Sequence, residues 1–331
     1  MEKIRQRLSA AGIDGFILAI LFMVVLAYIF PAPGLAERPI SLEELIGYGV
    51  SGIFFFYGLK LNFDKLRTGL ANWKLHVVIQ CTTFLLFPMV ALLVRPLFHG
   101  QASQQLWAGI FYLCALPSTV SSSVVMVSMA RGNIAAAIFN ASISSLIGIF
   151  ATPFWVKLFM EPTGDGFENS QIMLKLFLQV LAPVLLGIAL NHRFGAFAET
   201  HKRALKNFDQ GVILVIIYTS FCKSFSLGLF KDISWLGLAV LSAEMLGLFA
   251  AVMLAVRYIA RLLGFGREDR ITAMFCGSKK SLVHGTVMSR ILFAGSSMAG
   301  IILLPLMLYH ALQLIAASIL ARKMAAEEEG Q

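Results

Sequence analysis

Apolar runs long enough to cross a lipid bilayer follow one another along this chain with little between them. The first reads "GIDGFILAILFMVVLAYIF", and the pattern recurs to the C-terminus. An α-helix rises about 1.5 Å per residue, so about 20 apolar residues cover the hydrocarbon core. Backbone N–H and C=O groups in lipid must be satisfied inside the spanning structure, which leaves helices or closed barrels. These runs are continuous and rich in Leu, Ala, Ile and Val, without alternation, so they predict helices. Ten are predicted, over 11–31, 41–60, 73–97, 104–130, 133–158, 170–191, 207–227, 233–260, 268–294 and 297–320. Only 14% of residues are charged and 58% are hydrophobic, against about 25% charged in soluble domains. A water-soluble core is therefore excluded. The expected fold is an all-α polytopic membrane protein, a single transmembrane domain over 1–331. Its longest polar stretches are "MEPTGDGFENSQ" and "AFAETHKRALKN".

The formal net charge is +9. A basic patch would suggest nucleic acid, but here the basic residues are spread along the connections, and no nucleic acid is expected. Sorted by side, Lys3, Arg7, Lys60, Lys65, Lys74, Arg131, Lys202, Lys206, Arg257, Arg267 and Arg322 fall together, with few opposite them. That bias predicts a multi-pass protein of a bacterial inner membrane with both termini cytoplasmic. The basic N-terminus lacks a small-residue cleavage site, so the first helix is expected to be retained. Cys81, Cys114, Cys222 and Cys276 lie in apolar runs without metal or CxxC spacing and are expected to be small buried side chains.

Five helices followed by five of opposite topology would make two inverted repeats, 1–162 and 163–331. "FFYGLKLNFDKLRTGLANWKLHVVIQ" and "YTSFCKSFSLGLFKDISWLGLAVLSAE" echo each other in this sense. The fourth and ninth runs hold the same place in the two halves, and both are interrupted. The fourth reads "LCALPSTVSSSVVMVSMARGN". Pro117 removes a backbone donor, Ser118 and Thr119 suit a restarted helix, and Ser121, Ser122 and Ser123 add hydroxyls. The ninth reads "ITAMFCGSKKSLVHGTVMSR", where Gly277 and Ser278 offer a break and a cap. Matched interruptions point to a transporter's binding site. Lys279 and Lys280 sit at that break, and each costs about 2.5–3.5 kcal/mol at the membrane centre. Their counter-ion candidates are Glu244 and, second, Asp209.

"SSSVVMVSMARGNIAAAIFNASISSLIGIFATP" and "GSKKSLVHG" resemble the bile acid:sodium symporter family, in the branch that contains solute carrier family ten, member seven, and its bacterial relatives. The resemblance covers essentially the whole chain. It implies ten helices in two inverted five-helix repeats, broken fourth and ninth helices that cross, a panel and a core domain, and alternating access. In sodium-coupled members it implies two sodium sites behind the crossing. The fourth-helix hydroxyl ligand falls on Ser123 and the third-helix glutamine on Gln80, whereas the ninth-helix glutamate and glutamine fall on Phe275 and Lys279.

The expected function is a secondary active transporter moving a small organic anion; the resemblance implies sodium coupling, with Gln80 and Ser123 as ligands if sodium binds, whereas the residues leave proton coupling or none open. The alternative is a non-transporting membrane regulator on a transporter fold. No HExxH, GxSxG or Walker loop suggests an enzyme, and no catalytic residue is assigned. The expected binding set is Gln80, Ser121, Ser122, Ser123, Asn140, Glu244, Ser278, Lys279, Lys280, Ser281 and His284. Within it, Lys279 is expected to take the place of sodium among fourth-helix oxygens, and Lys280 to face the central cavity and an anion. Small-molecule substrate and lipid are the expected partners.

Overall fold

Polar side chains cap several of the helices at their starts. Asn72, Asn133, Ser234 and Ser281 each accept a hydrogen bond from the backbone N–H three residues on, at 3.0–3.4 Å. Each cap satisfies one of the donors that a helix start leaves unpaired. The computed structural model describes residues 15–36, 42–60, 72–160, 174, 177–228, 230–231, 234–293, 296 and 298–329. Among the described residues every regular element is helical. In chain order these are α1 (Gly15–Ile29), α2 (Ala32–Leu35), α3 (Leu42–Leu59), α4 (Trp73–Cys81), α5 (Phe87–Val94), α6 (Gln101–Ala115) and α7 (Ser121–Met129). They continue with α8 (Ile134–Phe159), α9 (Ala182–Thr200), α10 (Lys202–Ser226), α11 (Trp235–Leu262), α12 (Arg267–Ser278), α13 (Leu282–Leu292) and α14 (Ala299–Glu329). A π-helical turn, Thr82–Leu86, joins α4 to α5.

Among the described residues six helical stretches are long and apolar enough to cross a membrane: Trp73–Leu97, Ile134–Phe159, Phe177–Thr200, Lys202–Ser226, Trp235–Leu262 and Ala299–Ala326. α1 and α3 are apolar but shorter. The predicted fourth and ninth runs are each two half-helices, α6 with α7 and α12 with α13. Two details correct the sequence reading. "AFAETHKRALKN" is not a loop; α9 and α10 run through it and meet at His201. Cys81 is exposed, not buried. All of "MEPTGDGFENSQ" after Met160 lies outside the described residues, as do Lys3, Arg7 and Lys65.

The helices sort by contact into two groups. α1, α3, α9 and α10 pack on one another. Their closest approach is at Gly58 and Gly187, where a Cβ on either would run into the facing backbone carbonyl, of Val184 or Phe55. Small residues let helices approach closely where no hydrophobic force drives them together. α4 to α8 and α11 to α14 form the second group. α10 meets α13 and α14 across the divide, and the Tyr57 hydroxyl donates to the Ser142 carbonyl at 2.7 Å. The outer surface exposes large apolar side chains, among them Leu21, Phe22, Phe150, Phe154, Leu236 and Leu254. A band of this kind needs a lipid cover.

Candidate functional site

Stopping a helix inside a bilayer strands backbone groups that water cannot reach. Here the two breaks, Leu116–Val120 and Lys279–Ser281, lie against each other and supply each other's partners. The Ser281 N–H donates to the Pro117 carbonyl at 2.9 Å. The Ser118 hydroxyl donates to the Cys276 carbonyl at 2.6 Å, and the Tyr112 hydroxyl to the Gly285 carbonyl at 2.5 Å. Neighbouring helices complete the set. Ser144 Oγ accepts from the Ser118 N–H at 2.9 Å, and Thr152 Oγ1 donates to the Ala115 carbonyl at 2.8 Å. From α14, the Tyr309 hydroxyl donates to the Ser278 carbonyl at 2.6 Å. Gln313 takes the Lys280 N–H on Oε1 at 2.9 Å and gives Nε2 to the Lys280 carbonyl at 2.8 Å.

Lys280 spans both breaks. Its ammonium donates to the carbonyls of Thr83, Cys114 and Leu116 at 2.8, 2.7 and 2.8 Å. It also lies 4.1 Å from the centroid of the Phe87 ring. Cys114 and Leu116 are at the C-terminal end of α6, where the helix dipole is negative. Thr83 is free for a different reason. In the π turn the Phe87 N–H bonds Thr82, so Thr83 would take the next N–H, which Pro88 lacks.

These positions overturn the expected roles of both lysines. α12 runs through Gly277 to Ser278, so the break falls after the glycine, and both lysines follow a helix C-terminus instead of opening a new helix. Lys280 is the residue held among fourth-run oxygens, and it does not line the cavity described below. The Lys279 side-chain nitrogen is fully buried and has no hydrogen-bond partner among the described residues. Ser118 and Thr119 do not cap α7 either; its N-cap is Val120, with no side-chain bond. Ser278 turns its hydroxyl back to the Met274 carbonyl at 2.6 Å, and Ser281 is the cap of α13. Glu244 is exposed, because the buried stripe of α11 runs through Leu241, Met245 and Phe249. Asp209 pairs with Lys60 at 3.2 Å, not with a ninth-run lysine.

Gln80, Asn140 and Ser123 face protein. Gln80 Nε2 donates to Asn140 Oδ1 at 3.1 Å, and Asn140 Nδ2 meets His76 Nδ1 at 2.8 Å. Gln80 Oε1 is buried and unpartnered among the described residues. Ser123 Oγ lies 3.0 Å from Thr119 Oγ1 and 3.5 Å from the Phe275 carbonyl. Phe275 and Lys279 bring no side-chain oxygen to this region. Ser121 opens α7, and its side chain lies outside the described residues.

Between the two helix groups lies a cavity of about 490 Å³. One wall carries Ile53, Phe54 and Tyr57 of α3 with Lys60, Lys206 and Asp209. The facing wall comes from the breaks: Thr119, Ser122 and Val125 of the fourth run, and Ser281, His284 and Val287 of the ninth. His284 is held by Ser281 Oγ at 3.1 Å from its Nδ1, with the Tyr57 ring edge-on at 5.7 Å. His310 of α14 also lines the cavity and lies 3.1 Å from Gln313 Nε2. The predicted site thus divides. Ser122, Ser281 and His284 line the cavity, whereas Gln80, Ser123, Asn140, Ser278, Lys279 and Lys280 lie behind it.

A cavity walled by two broken helices is the arrangement expected of a transporter, and comparison with known proteins agrees. The family model described as the SBF-like CPA transporter family matches residues 14–326. The chain belongs to that family. It is 38% identical to "Uncharacterized protein PA2026" of Pseudomonas aeruginosa, covering 94% of this chain and 93% of that one. It is 37% identical to "Putative symporter YfeH" of Escherichia coli, covering 96% and 94%. It is 31% identical to sodium/bile acid cotransporter 7 of Rattus norvegicus, covering 97% and 93%. The expected branch of the bile acid:sodium symporter family is thereby shown, and the chain is a multi-pass membrane transporter by family.

Several residues that shape this SBF-like site were not singled out from the sequence. Pro88 inside the third run was a readable signal, since an interior proline frees a carbonyl. Gln313, Tyr309 and Tyr112 are single polar groups in apolar helices and read alone as packing residues. Asp269 was also missed. It accepts from both Asn72 and Asn133, at 2.5 and 3.0 Å, and so ties the caps of α4 and α8 to the start of α12.

Proposed function

We propose that this chain is a secondary active transporter that carries a small organic anion through the cavity between its two helix groups. Its ten apolar runs would form two inverted five-helix repeats, 1–162 and 163–331, in a bacterial inner membrane with both termini cytoplasmic. The cavity wall carries the reading. The breaks place hydroxyls and His284 on one side of an apolar chamber with aromatic walls, and Lys60 and Lys206 stand at its other end. Pockets of this build orient an amphipathic ligand, with a few polar groups fixing its head and apolar walls taking its body. The relatives' names speak of bile acids, which have this chemistry. Of the positions that resemblance gives to sodium, Phe275 and Lys279 offer that ion no side-chain oxygen. The chain's own residues bind and orient the anion, and movement of one helix group against the other would expose it to alternate sides.

The test is uptake of radiolabelled bile acids and steroid sulfates by proteoliposomes. Val125→Trp fills the cavity from α7 and should cut uptake at least tenfold without lowering the melting temperature. Wild-type vesicles that move none of these anions, with the variant indistinguishable, would instead favour the non-transporting regulator.

A further inference from the structure

We infer that Lys280 is a built-in cation: its ammonium fills a carbonyl cage that a free monovalent cation would otherwise need to occupy. The inference is independent of what the cavity carries.

The cage is made by three separate devices. The end of α6 presents the Cys114 and Leu116 carbonyls, stranded because Pro117 stops the helix. The π turn with Pro88 presents the Thr83 carbonyl. Phe87, itself fully buried, closes the site with the face of its ring, and a ring face attracts a desolvated cation. Three carbonyl oxygens and a π-face converging on one buried point form a cation site by composition. An ammonium has three N–H donors, and here each has one carbonyl acceptor.

Among the described residues no carboxylate pairs with the Lys280 ammonium, whose hydrogen bonds go to the three carbonyls. The compensating negative potential therefore comes from backbone dipoles and the Phe87 ring face, a form of compensation that suits a monovalent cation. The stem of Lys280 is fixed as well, since Gln313 clamps both its N–H and its carbonyl. The side-chain nitrogen thus cannot leave while the break keeps its shape. An exchangeable ion in the same place would make the packing of the breaks depend on salt composition; a tethered one removes that dependence.

Removing the side chain should therefore convert a closed site into an open one. Lys280→Ala deletes three carbons and the ammonium, and n-propylammonium has the same atoms. Purified wild type should melt at the same temperature in sodium, potassium and choline chloride at equal ionic strength. Lys280→Ala should melt lower by about 10 °C, as expected when one partner of a buried charged cluster is lost. n-Propylammonium should restore at least half of that loss. Neither n-propanol, which lacks the charge, nor tetramethylammonium, which lacks N–H donors, should do so. If the variant cannot be recovered folded, extraction with n-propylammonium present should yield monodisperse protein, and failure there counts against the inference. It is overturned if wild type is stabilised by sodium over potassium by several degrees. It is equally overturned if Lys280→Ala melts like wild type, or if tetramethylammonium rescues as well as n-propylammonium.

Discussion

Lys279 and Lys280 differ by one position and have opposite surroundings. Neighbours near a helix end point about 100° apart, so the sequence alone shows that they cannot share a role. Which lysine takes which role depends on where the helix stops. A break at Gly277 would aim Lys279 at the fourth run; the actual stop at Ser278 hands that place to Lys280. The stop is fixed by groups from elsewhere in the chain, chiefly the Tyr309 hydroxyl on the Ser278 carbonyl and Gln313 on Lys280. No local pattern records them, which is why the register was not legible. Gln313 gives a direct test. Gln313→Leu leaves the Lys280 N–H and carbonyl unpaired in a dry core, at about 1–3 kcal/mol each. Melting of the detergent-purified variant should fall by roughly 5–15 °C. An unchanged melting temperature would mean that the break is held without this clamp.

At the scale of elements, the apolar runs were legible because hydropathy is a local property, whereas Ser118, Thr119 and Ser278, read as caps at the breaks, do not cap. The two interruptions were also legible to within about two residues of their observed places, since Pro117 and the lysines cannot sit in an ordinary spanning helix. The π turn of the third run was not, although Pro88 marks it. In a plain helix, removing an interior proline returns about 3 kcal/mol. In Pro88→Ala the regained N–H would compete with the Lys280 ammonium for the Thr83 carbonyl. Hydrogen bonds to charged groups contribute about 1.5–3 kcal/mol, so the gain should vanish. The expected result is a melting temperature equal to or below wild type. A rise of more than about 5 °C would show that Pro88 is only strain and that the carbonyl it frees does not matter.

At the scale of the whole molecule, the cavity and the breaks are linked. His310 on the cavity wall lies 3.1 Å from Gln313 Nε2, and Gln313 holds Lys280 at the junction of the breaks. A ligand touching His310 would therefore act on the side chain that fixes the ninth-run break. The two helix groups also touch across the cavity through Tyr57 and Ser142. If the groups move against each other during transport, a covalent bridge at that contact should stop the cycle. The natural exposed thiol, Cys81, is first replaced by serine, and cysteines are placed at 57 and 142. A tyrosine-length reach separates these positions, so a short bis-methanethiosulfonate reagent is suited to bridge them. Bridged protein should lose at least tenfold in uptake and recover it on reduction, while each single cysteine keeps after treatment the activity it had before. The singles matter because both residues line the cavity, and loss in a single would report a binding defect instead of a locked motion. Bridged protein that transports at the unbridged rate would place the moving interface elsewhere, and the two groups would then have to act as one body.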